Sequence, residues 1–549
     1  MRKPELKDAL ARLDANDLGG AVTRLLEAWR HTPDPRLAEV LDGLSTRSAR
    51  PALTTATQQK TTDAFLELLD KQDPLDLPRL VAVIGTTRAA LMVEQLEALL
   101  ERWPADPRVT RPFVQLLQRP PFTGSSTQSA WRRLFKVLQQ YADPRALELL
   151  AGLDFAALLR EQNPWARGGV DEHAFAATFF TERAAAVVEA LRKKYAKGLP
   201  RLPASDDAVV ARLLERARPS PEVALISAVQ AAPQEEGARA VLADALLEKN
   251  DVRGRFMALQ QARTLGTLSP ADEKEERALV SQFGLQWAGA LAPLIKDDEL
   301  SFERGFLSAC TIDVDRDGLV KQLTGHAAWG TVREVHLWGT SLPLELLTDA
   351  AMKSLTGVTG IRDSRARALL EGERTFPSWT TVGLDLPHYD SVAADLKLLS
   401  DNVLRVFPAL KELVLDGYSI APTQYEWLWA PRFAHLTRIG VTGAGPGFLP
   451  GWLEVTRRAP PHAVLEVSRF HRDGFQWRLR PGPDGRRTVL ELSTRAVSGH
   501  ATVTLTDLVE ASAALTGALT RVRVFTRSTK AERALLAKLL APGGELETA

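Results

Sequence analysis

Residues 412–417 read Glu-Leu-Val-Leu-Asp-Gly, a short alternating stretch that ends at a glycine. Successive side chains of a strand point to opposite faces, so Leu413 and Leu415 would share one buried face. Five other stretches of this kind predict further strands, at residues 334–339, 359–363, 382–386, 438–443 and 465–467. The remaining residues would line a second face that is mostly small or apolar and suggests no charged ligand: His336, Gly360, Gly383, Val414, Gly440 and Glu466.

The six predicted strands recur at a nearly regular spacing. The steps are 24, 23, 31, 26 and 26 residues when these positions are taken as equivalent: Leu337, Ile361, Leu384, Leu415, Val441 and Val467. Leucine-rich repeats run at roughly 20 to 29 residues, so only one step needs an insertion. The usual asparagine ladder is missing, and residues 299–468 therefore resemble a leucine-rich-repeat region of degenerate sequence.

The pattern changes after residue 468. Residues 475–481 and 486–493 predict a β-hairpin around the turn Gly482-Pro483-Asp484-Gly485. A helix over 507–515, a strand over 521–525 and a helix over 529–540 would follow. We expect residues 469–549 to form an α/β cap that covers the last repeat.

Residues 1–218 carry a helical pattern of amphipathic stretches separated by short polar breaks. Asp-Pro recurs in these breaks, at residues 34–35, 73–74, 106–107 and 143–144. Aspartate is a good N-cap and proline tolerates the first helical position, so each pair should start a helix. The separations of 39, 33 and 37 residues favour a stacked α-helical repeat, with an irregular helical bundle as the alternative.

Residues 222–260 read EVALISAVQAAPQEEGARAVLADALLEKNDVRGRFMALQ and predict three short helices. The order of residues resembles the bacterial repeat-companion domain, a helical module commonly found beside leucine-rich repeats. The matching positions are Pro233, Arg239, Val241, Ala243, Asp244, Leu246, Glu248, Asp251, Arg253, Gly254, Phe256, Leu259 and Gln260, while Leu242, Ala245, Asn250 and Val252 depart from it. The likeness continues more loosely through Trp287 to the phrase Phe302-Glu303-Arg304-Gly305-Phe306, and it implies neighbouring repeats but no catalytic residues.

The predicted fold class is therefore α followed by α/β. An α-helical repeat-like domain (residues 1–218) precedes a helical companion module (219–298). A leucine-rich-repeat-like region (299–468) and a cap that contains the hairpin (469–549) complete the chain.

Composition narrows the possible functions. The 549 residues include 69 Lys+Arg and 68 Asp+Glu, so a net charge of +1 gives no overall attraction to nucleic acid or anionic membranes. One cysteine excludes an internal disulfide framework, and no apolar stretch reaches about 18 residues, so we expect a cytoplasmic protein with no membrane partner. We find no nucleophile motif, phosphate loop or zinc-ligand spacing, and we expect no catalytic residue, metal or cofactor.

Asp313-Val314-Asp315-Arg316-Asp317-Gly318 fits the opening of a calcium loop. Such a loop needs a bidentate acid at its twelfth position, where this chain has Thr324. The favoured interpretation is a strand over 309–314 followed by a helix that begins near Asp315.

Two surfaces are candidates for partner binding. Tyr425, Trp427 and Trp429 fall within five residues, and on an α-helix Trp427 would point away from the other two. It would then either pack against the next repeat or anchor an interface. In the hairpin, Arg478 and Arg480 would project from one strand face. The window of residues 469–495 has only three acids and five more arginines, which are Arg469, Arg472, Arg486, Arg487 and Arg495.

The leading hypothesis is a non-catalytic protein-protein interaction or scaffold protein that uses its repeat surfaces to bind another protein. The alternative is a nucleic-acid-binding protein that uses the basic hairpin. The hairpin could instead be a charged, solvated edge strand without a binding role. An enzyme without a recognisable motif is the third possibility.

Overall fold

A computed structural model describes residues 6–47, 50, 53, 58–162, 170–218, 220–385, 392–416, 421–444, 446–468, 475–494 and 503–548. Contacts divide the chain into two units. The first comprises residues 1–308, 313–331 and 343–353, and the second comprises 309–312, 332–342 and 354–549. The predicted mixture of an N-terminal helical region and an α/β part with a mostly parallel sheet is confirmed. The predicted segment boundaries at residues 218, 298 and 468 stay a prediction.

The first unit opens with a long series of helices. They are α1 (Leu6–Asp14), α2 (Leu18–His31), α3 (Pro35–Ser45), α4 (Gln58–Lys71), α5 (Leu77–Val83), α6 (Ala89–Arg102), α7 (Thr110–Gln118), α8 (Gln128–Tyr141), α9 (Ala146–Ala151), α10 (Phe155–Gln162), α11 (Val170–Lys194) and α12 (Asp207–Ala217). Their apolar stripes form two buried clusters. One joins α1–α3 with α12, and the other runs from α4 to α11.

The four Asp-Pro pairs share one local structure. Each aspartate accepts a hydrogen bond, at 2.9–3.1 Å, from the backbone N–H two residues later. Pro35 begins α3, and Pro107 begins a 3₁₀ turn that leads into α7, as expected. The expectation is wrong at residues 73–74 and 143–144, where a turn separates the pair from the following helix.

An arginine two residues after the aspartate extends this motif at three of the four pairs. Arg36, Arg108 and Arg145 each close back onto the aspartate of their own pair through two guanidinium nitrogens. Arg108 also donates to the carbonyl of Pro74, and Arg145 donates to the carbonyl of Pro107, both at 2.9 Å. The later Asp-Pro pairs are thus linked, each to the one before it, by an arginine that the sequence analysis did not weigh.

Residues 221–323, apart from Ala309–Ile312, continue this unit, which also includes residues 324–331 and 343–353. The helices are α13 (Pro221–Ala231), α14 (Gly237–Glu248), α15 (Val252–Thr264), α16 (Pro270–Ala288) and α17 (Asp317–Leu323), with strands β1 (Ile295–Glu303) and β2 (Phe306–Asp313) before α17. Arg304 and Gly305 join the two strands with φ angles of +52° and +84°, the signs that a type I′ hairpin turn requires. Helix α17 begins at Asp317, two residues later than expected, and β1 was not expected at all.

Several residues that carry the repeat-companion resemblance hold this hairpin against α15. Gln260 donates to the carbonyl of Phe302 and accepts from the backbone N–H of Gly305. Arg253 donates to the Gly305 carbonyl at 3.1 Å. A side chain at Gly254 would lie within 3 Å of the α14 backbone, so only glycine permits this approach. Here the resembling positions serve packing.

The second unit contains the sheet and its helices. In chain order they are β3 (Glu334–Trp338), β4 (Gly357–Arg362), α19 (Asp363–Glu371), β5 (Thr381–Asp385), α20 (Val392–Val406), β6 (Glu412–Asp416), β7 (Arg438–Thr442), α21 (Leu449–Val455), β8 (Val464–Ser468), β9 (Phe475–Pro481), β10 (Arg487–Thr494), α22 (Leu505–Ala511), β11 (Leu519–Val524), α23 (Lys530–Leu539) and β12 (Leu540–Thr548), with the short α18 (Leu344–Leu347) belonging to the first unit. The six strands predicted between residues 334 and 467 are confirmed.

These strands pair in chain order. Strands β3 to β8 are all parallel, β9 is antiparallel to both β8 and β10, and β10, β11 and β12 are parallel. The predicted hairpin is therefore confirmed, whereas β12 was not expected. Its sequence, LAPGGELET, contains a proline and two glycines, which are typical of turns. Backbone pairing with β11 makes it a strand.

The buried pair Asp106–Arg108 gives a stability prediction. The Asp106 side chain is fully buried and that of Arg108 is 3% exposed, so Asp106→Ala leaves an uncompensated buried guanidinium. We expect the free energy of unfolding to fall by about 3–5 kcal/mol, measured by urea denaturation. The control is Asp70→Ala, which removes the exposed partner of Arg102 and should change it by less than about 1 kcal/mol. Equal effects for the two variants would contradict this role.

Candidate functional site

One face of the sheet carries a continuous row of ion pairs across seven strands. We call it the charge row, and its members run from β6 to β12: Glu412, Arg438, Glu466, Arg478, Glu491, Arg523 and Glu547. Acid and base alternate from each strand to the next. Register brings most of them opposite one another, because Glu412 pairs with Arg438, Glu466 with Arg478, Arg478 with Glu491, Glu491 with Arg523 and Arg523 with Glu547.

Glu466 is the most enclosed acid of the charge row, at 3% exposure. Its Oε2 accepts from Arg438 at 2.9 Å and from Arg478 at 3.0 Å, while Oε1 accepts from Gln476 at 2.9 Å. Burial alone would raise the pKa of this carboxyl group, but the charges of Arg438 and Arg478 outweigh burial and hold the pKa below its ordinary value. Glu466 therefore stays ionised and holds two arginines in place.

Two of the hairpin arginines, Arg478 and Arg480, form ion pairs with carboxylates of the charge row. Glu491, which is buried, lies 2.9 Å from Arg480 and 3.6 Å from both Arg478 and Arg523. Arg487 donates to the carbonyl oxygens of Thr456 and Pro460, and burial lowers the pKa of its guanidinium. Arg486 remains on the exposed turn.

The hairpin was expected to carry an excess of positive charge, but Arg478, Arg480 and Arg487 do not form an open basic face. Glu466 lies just before the window in which the charges were counted, and the antiparallel register of β8 and β9 places it opposite Arg478. Three further arginines of that count, Arg469, Arg472 and Arg495, lie outside the described residues.

The unexpected strand β12 closes the charge row. Arg521 lies 2.6 Å from Glu545, and Arg523 lies 2.8 Å from Glu547. These pairs are more exposed than those of Glu466, so water screens them and each stabilises the fold less.

The strands before β6 extend the same face without this charge alternation. Gly383, Val414 and Gly440 occupy consecutive register positions, as predicted. The expectation for Gly360 is wrong, because a bulge between Val358 and Ile361 gives it a φ of +79° and brings Thr359 against Gly383 instead.

Four half-buried side chains at β3 and β4 form what we call the Trp338 patch. The Arg362 guanidinium lies over the Trp338 ring, 5.6 Å from its centroid. Beside them, Nδ1 of His336 is 2.9 Å from Oγ1 of Thr359. The sequence pattern predicts His336 on this face, but it gives no signal for the contact of Arg362 with Trp338.

The aromatic segment folds differently from the expected α-helix. Residues Pro422–Trp429 form a 3₁₀ helix, in which side chains three positions apart share a side, so Tyr425 and Leu428 are both fully buried. Trp427 packs edge-on against Phe433 with ring centroids 5.2 Å apart, and Trp429 lies 6.1 Å from Trp452. These contacts favour the packing interpretation over an exposed anchor.

The other candidate sites, which are a metal site, the Asp313 loop and Cys310, show no arrangement for binding or catalysis among the described residues. There, no three acidic, histidine or cysteine side chains are grouped so that they could hold a metal ion. Asp313 ends β2, and its Oδ1 accepts from the backbone N–H of Asp315. Cys310 is buried, which raises the pKa of its thiol to about 12. No helix in the described part of the chain has the length and apolar character needed to cross a membrane.

Comparisons with known proteins give no relative from which a function could be carried over: no family model, no curated protein and no solved structure matches the chain.

Glu466→Gln tests the charge row. The variant leaves Arg438 and Arg478 without their shared carboxylate, and we expect a loss of about 3 kcal/mol in the free energy of unfolding. Glu547→Gln at the exposed end should cost less than about 1 kcal/mol. Losses of equal size would contradict the central role of Glu466.

The lowered pKa of Glu466 also predicts a pH dependence. Because the folded-state pKa lies below the ordinary value of 4.5, this stabilisation is complete above that pH and is lost as pH falls through the folded-state pKa. Urea denaturation over a series of acidic pH values should therefore show a smaller decline for Glu466→Gln than for the natural protein. Parallel declines would contradict it.

Proposed function

We propose that the protein is a non-catalytic interaction or scaffold protein that binds another protein through the sheet face at the Trp338 patch. The observation that carries the proposal is the stacking of Arg362 on Trp338, on a face formed by strands that pair in chain order. Tryptophan and arginine are the residues that most often dominate protein interfaces.

The architecture of the proposal has three parts. Residues 219–298 are a repeat-companion module, strands β3 to β8 are degenerate leucine-rich repeats, and the segment from β9 onward caps them. The nearly regular strand spacing and the parallel pairing of β3 to β8 support the repeats. The bonds from Arg253 and Gln260 to the β1–β2 hairpin support the module, as does the close approach of Gly254 to α14, because they give these positions of the resemblance a packing role.

A protein is a better-supported partner than nucleic acid, because nucleic acid would have to bind the hairpin arginines. A polyanion binds where lysine or arginine side chains can replace its counterions. Arg478 and Arg480 are instead paired with Glu466 and Glu491, and Arg487 is bonded to backbone carbonyls. The proposal places the protein in the cytoplasm, where a single buried cysteine suits a reducing compartment.

Arg362→Glu tests the proposed surface. The full chain should retain a protein partner in stoichiometric amounts during affinity purification, and the variant should bind that partner at least about ten-fold more weakly in a titration. Arg486→Glu makes the same charge change on the exposed hairpin turn and should leave binding unchanged. Recovery of the chain alone, or equal affinity for both variants, would contradict the proposal.

Nucleic-acid binding is tested separately with a labelled oligonucleotide. Fluorescence polarisation at low salt should show no saturable binding by the natural protein, because Arg478, Arg480 and Arg487 already bond to other groups of the protein. Binding that weakens steeply with added salt and is reduced in Arg486→Glu would favour the nucleic-acid alternative.

A further inference from the structure

Two arginines lie over the ring of Phe306 at the start of β2, and a third is close to Phe306 in the chain. The guanidinium carbon of Arg253 lies 5.0 Å from the ring centroid, and that of Arg239 lies 5.5 Å from it. Arg304, on the hairpin turn, is two residues before Phe306 in the chain. Burial lowers the pKa of Arg239, and the positive charge of Arg304 lowers it further, so these two cations repel each other.

Arg239 is the least satisfied of the three. The residue is 7% exposed, and within the described part of the protein its Nε and Nη1 have no hydrogen-bond partner. Nε of Arg253 and Nε of Arg304 share this condition. Buried donors in native proteins are nearly always bonded, and leaving a charged one unbonded is strongly unfavourable. Such a cluster offers several hydrogen-bond donors to an acceptor.

The same place is the beginning of helix α14. Arg239 is its third residue, and no side chain caps the helix. The first N–H groups of a helix point outward with a partial positive charge, which attracts anions. A buried arginine with unbonded nitrogens therefore stands beside an uncapped helix N-terminus.

Glu236 is the carboxylate nearest to this place. It forms an ion pair with Arg304, and its Oε1 lies 3.8 Å from Nη1 of Arg239, too far for a hydrogen bond. The Glu236 side chain is 59% exposed, so it can turn outward into water. A second carboxylate, that of Glu303, lies 3.8 Å from Nε of Arg304, yet Nε and Nη1 of Arg239 remain without a hydrogen bond.

We propose that Arg239, Arg304 and the N-terminus of α14 bind a small phosphate-type oxyanion, which displaces the side chain of Glu236. A phosphate group carries about 1.5 to 2 negative charges near neutral pH and three acceptor oxygens, so it can bond the nitrogens of Arg239 that the carboxylates of Glu236 and Glu303 leave unbonded. Its several oxygens can accept from both guanidinium groups and from the helix N–H groups at once. Free phosphate and small phosphomonoesters share this chemistry.

Calorimetric titration of the full chain with inorganic phosphate, and separately with glycerol phosphate, tests the site. We expect saturable binding of at least one of the two, and the tighter one identifies the source. Glu236→Gln removes the competing carboxylate, so it should tighten binding several-fold. Arg304→Gly removes a guanidinium at a backbone φ that suits glycine, and it should weaken binding about ten-fold or more.

Two further variants keep the result clear. Arg239→Gln should also abolish binding, and Arg304→Gly serves if that buried change prevents folding. Arg277→Gln, an exposed change on α16 of the same unit, should leave the affinity unchanged. The absence of binding by both probes would overturn the proposal. Weak binding that neither Arg304→Gly nor Arg277→Gln alters would mean an adventitious ion only and would overturn it too.

Discussion

Buried carboxylates that are satisfied by arginine are the interaction on which both units of this protein depend. Ionised groups are unfavourable inside a protein unless a partner of opposite charge and full hydrogen bonding accompany them. In the helical unit, Asp34, Asp106 and Asp143 each cap a turn and each bind an arginine two residues later. In the sheet unit, Glu466 and Glu491 join arginines of adjacent strands. Neither the helix junctions nor the strand register could shift by one residue without stranding these charges.

The sequence predicts what depends on local pattern. Apolar alternation located the six strands from β3 to β8, and the Asp-Pro pairs located four helix junctions, although only two pairs begin a helix directly. It fails where distant pairing decides the structure. Strand β12 has the composition of a turn and depends on β11. The 3₁₀ geometry of residues Pro422–Trp429 depends on the rings packed around Tyr425.

The candidate sites show the same division. Counting charges along the chain made the hairpin appear basic, because the count could not include Glu466 on the neighbouring strand. The Asp-x-Arg signal was present in the sequence at three junctions and could have been found by comparing the residues after each Asp-Pro. By contrast, the stacking of Arg362 on Trp338 joins residues 24 positions apart and needs the parallel register of β3 and β4.

The alternation of the charge row also limits how this sequence can diverge. Each interior member touches groups of the opposite charge on both sides, as Arg478 touches Glu466 and Glu491, so reversing its sign alone would replace attractions with repulsions in two directions. Only coordinated exchanges at adjacent strands keep the alternation of charge. Among descendants of this gene, these positions should therefore change together or not at all, while the exposed turn at Arg486 drifts freely.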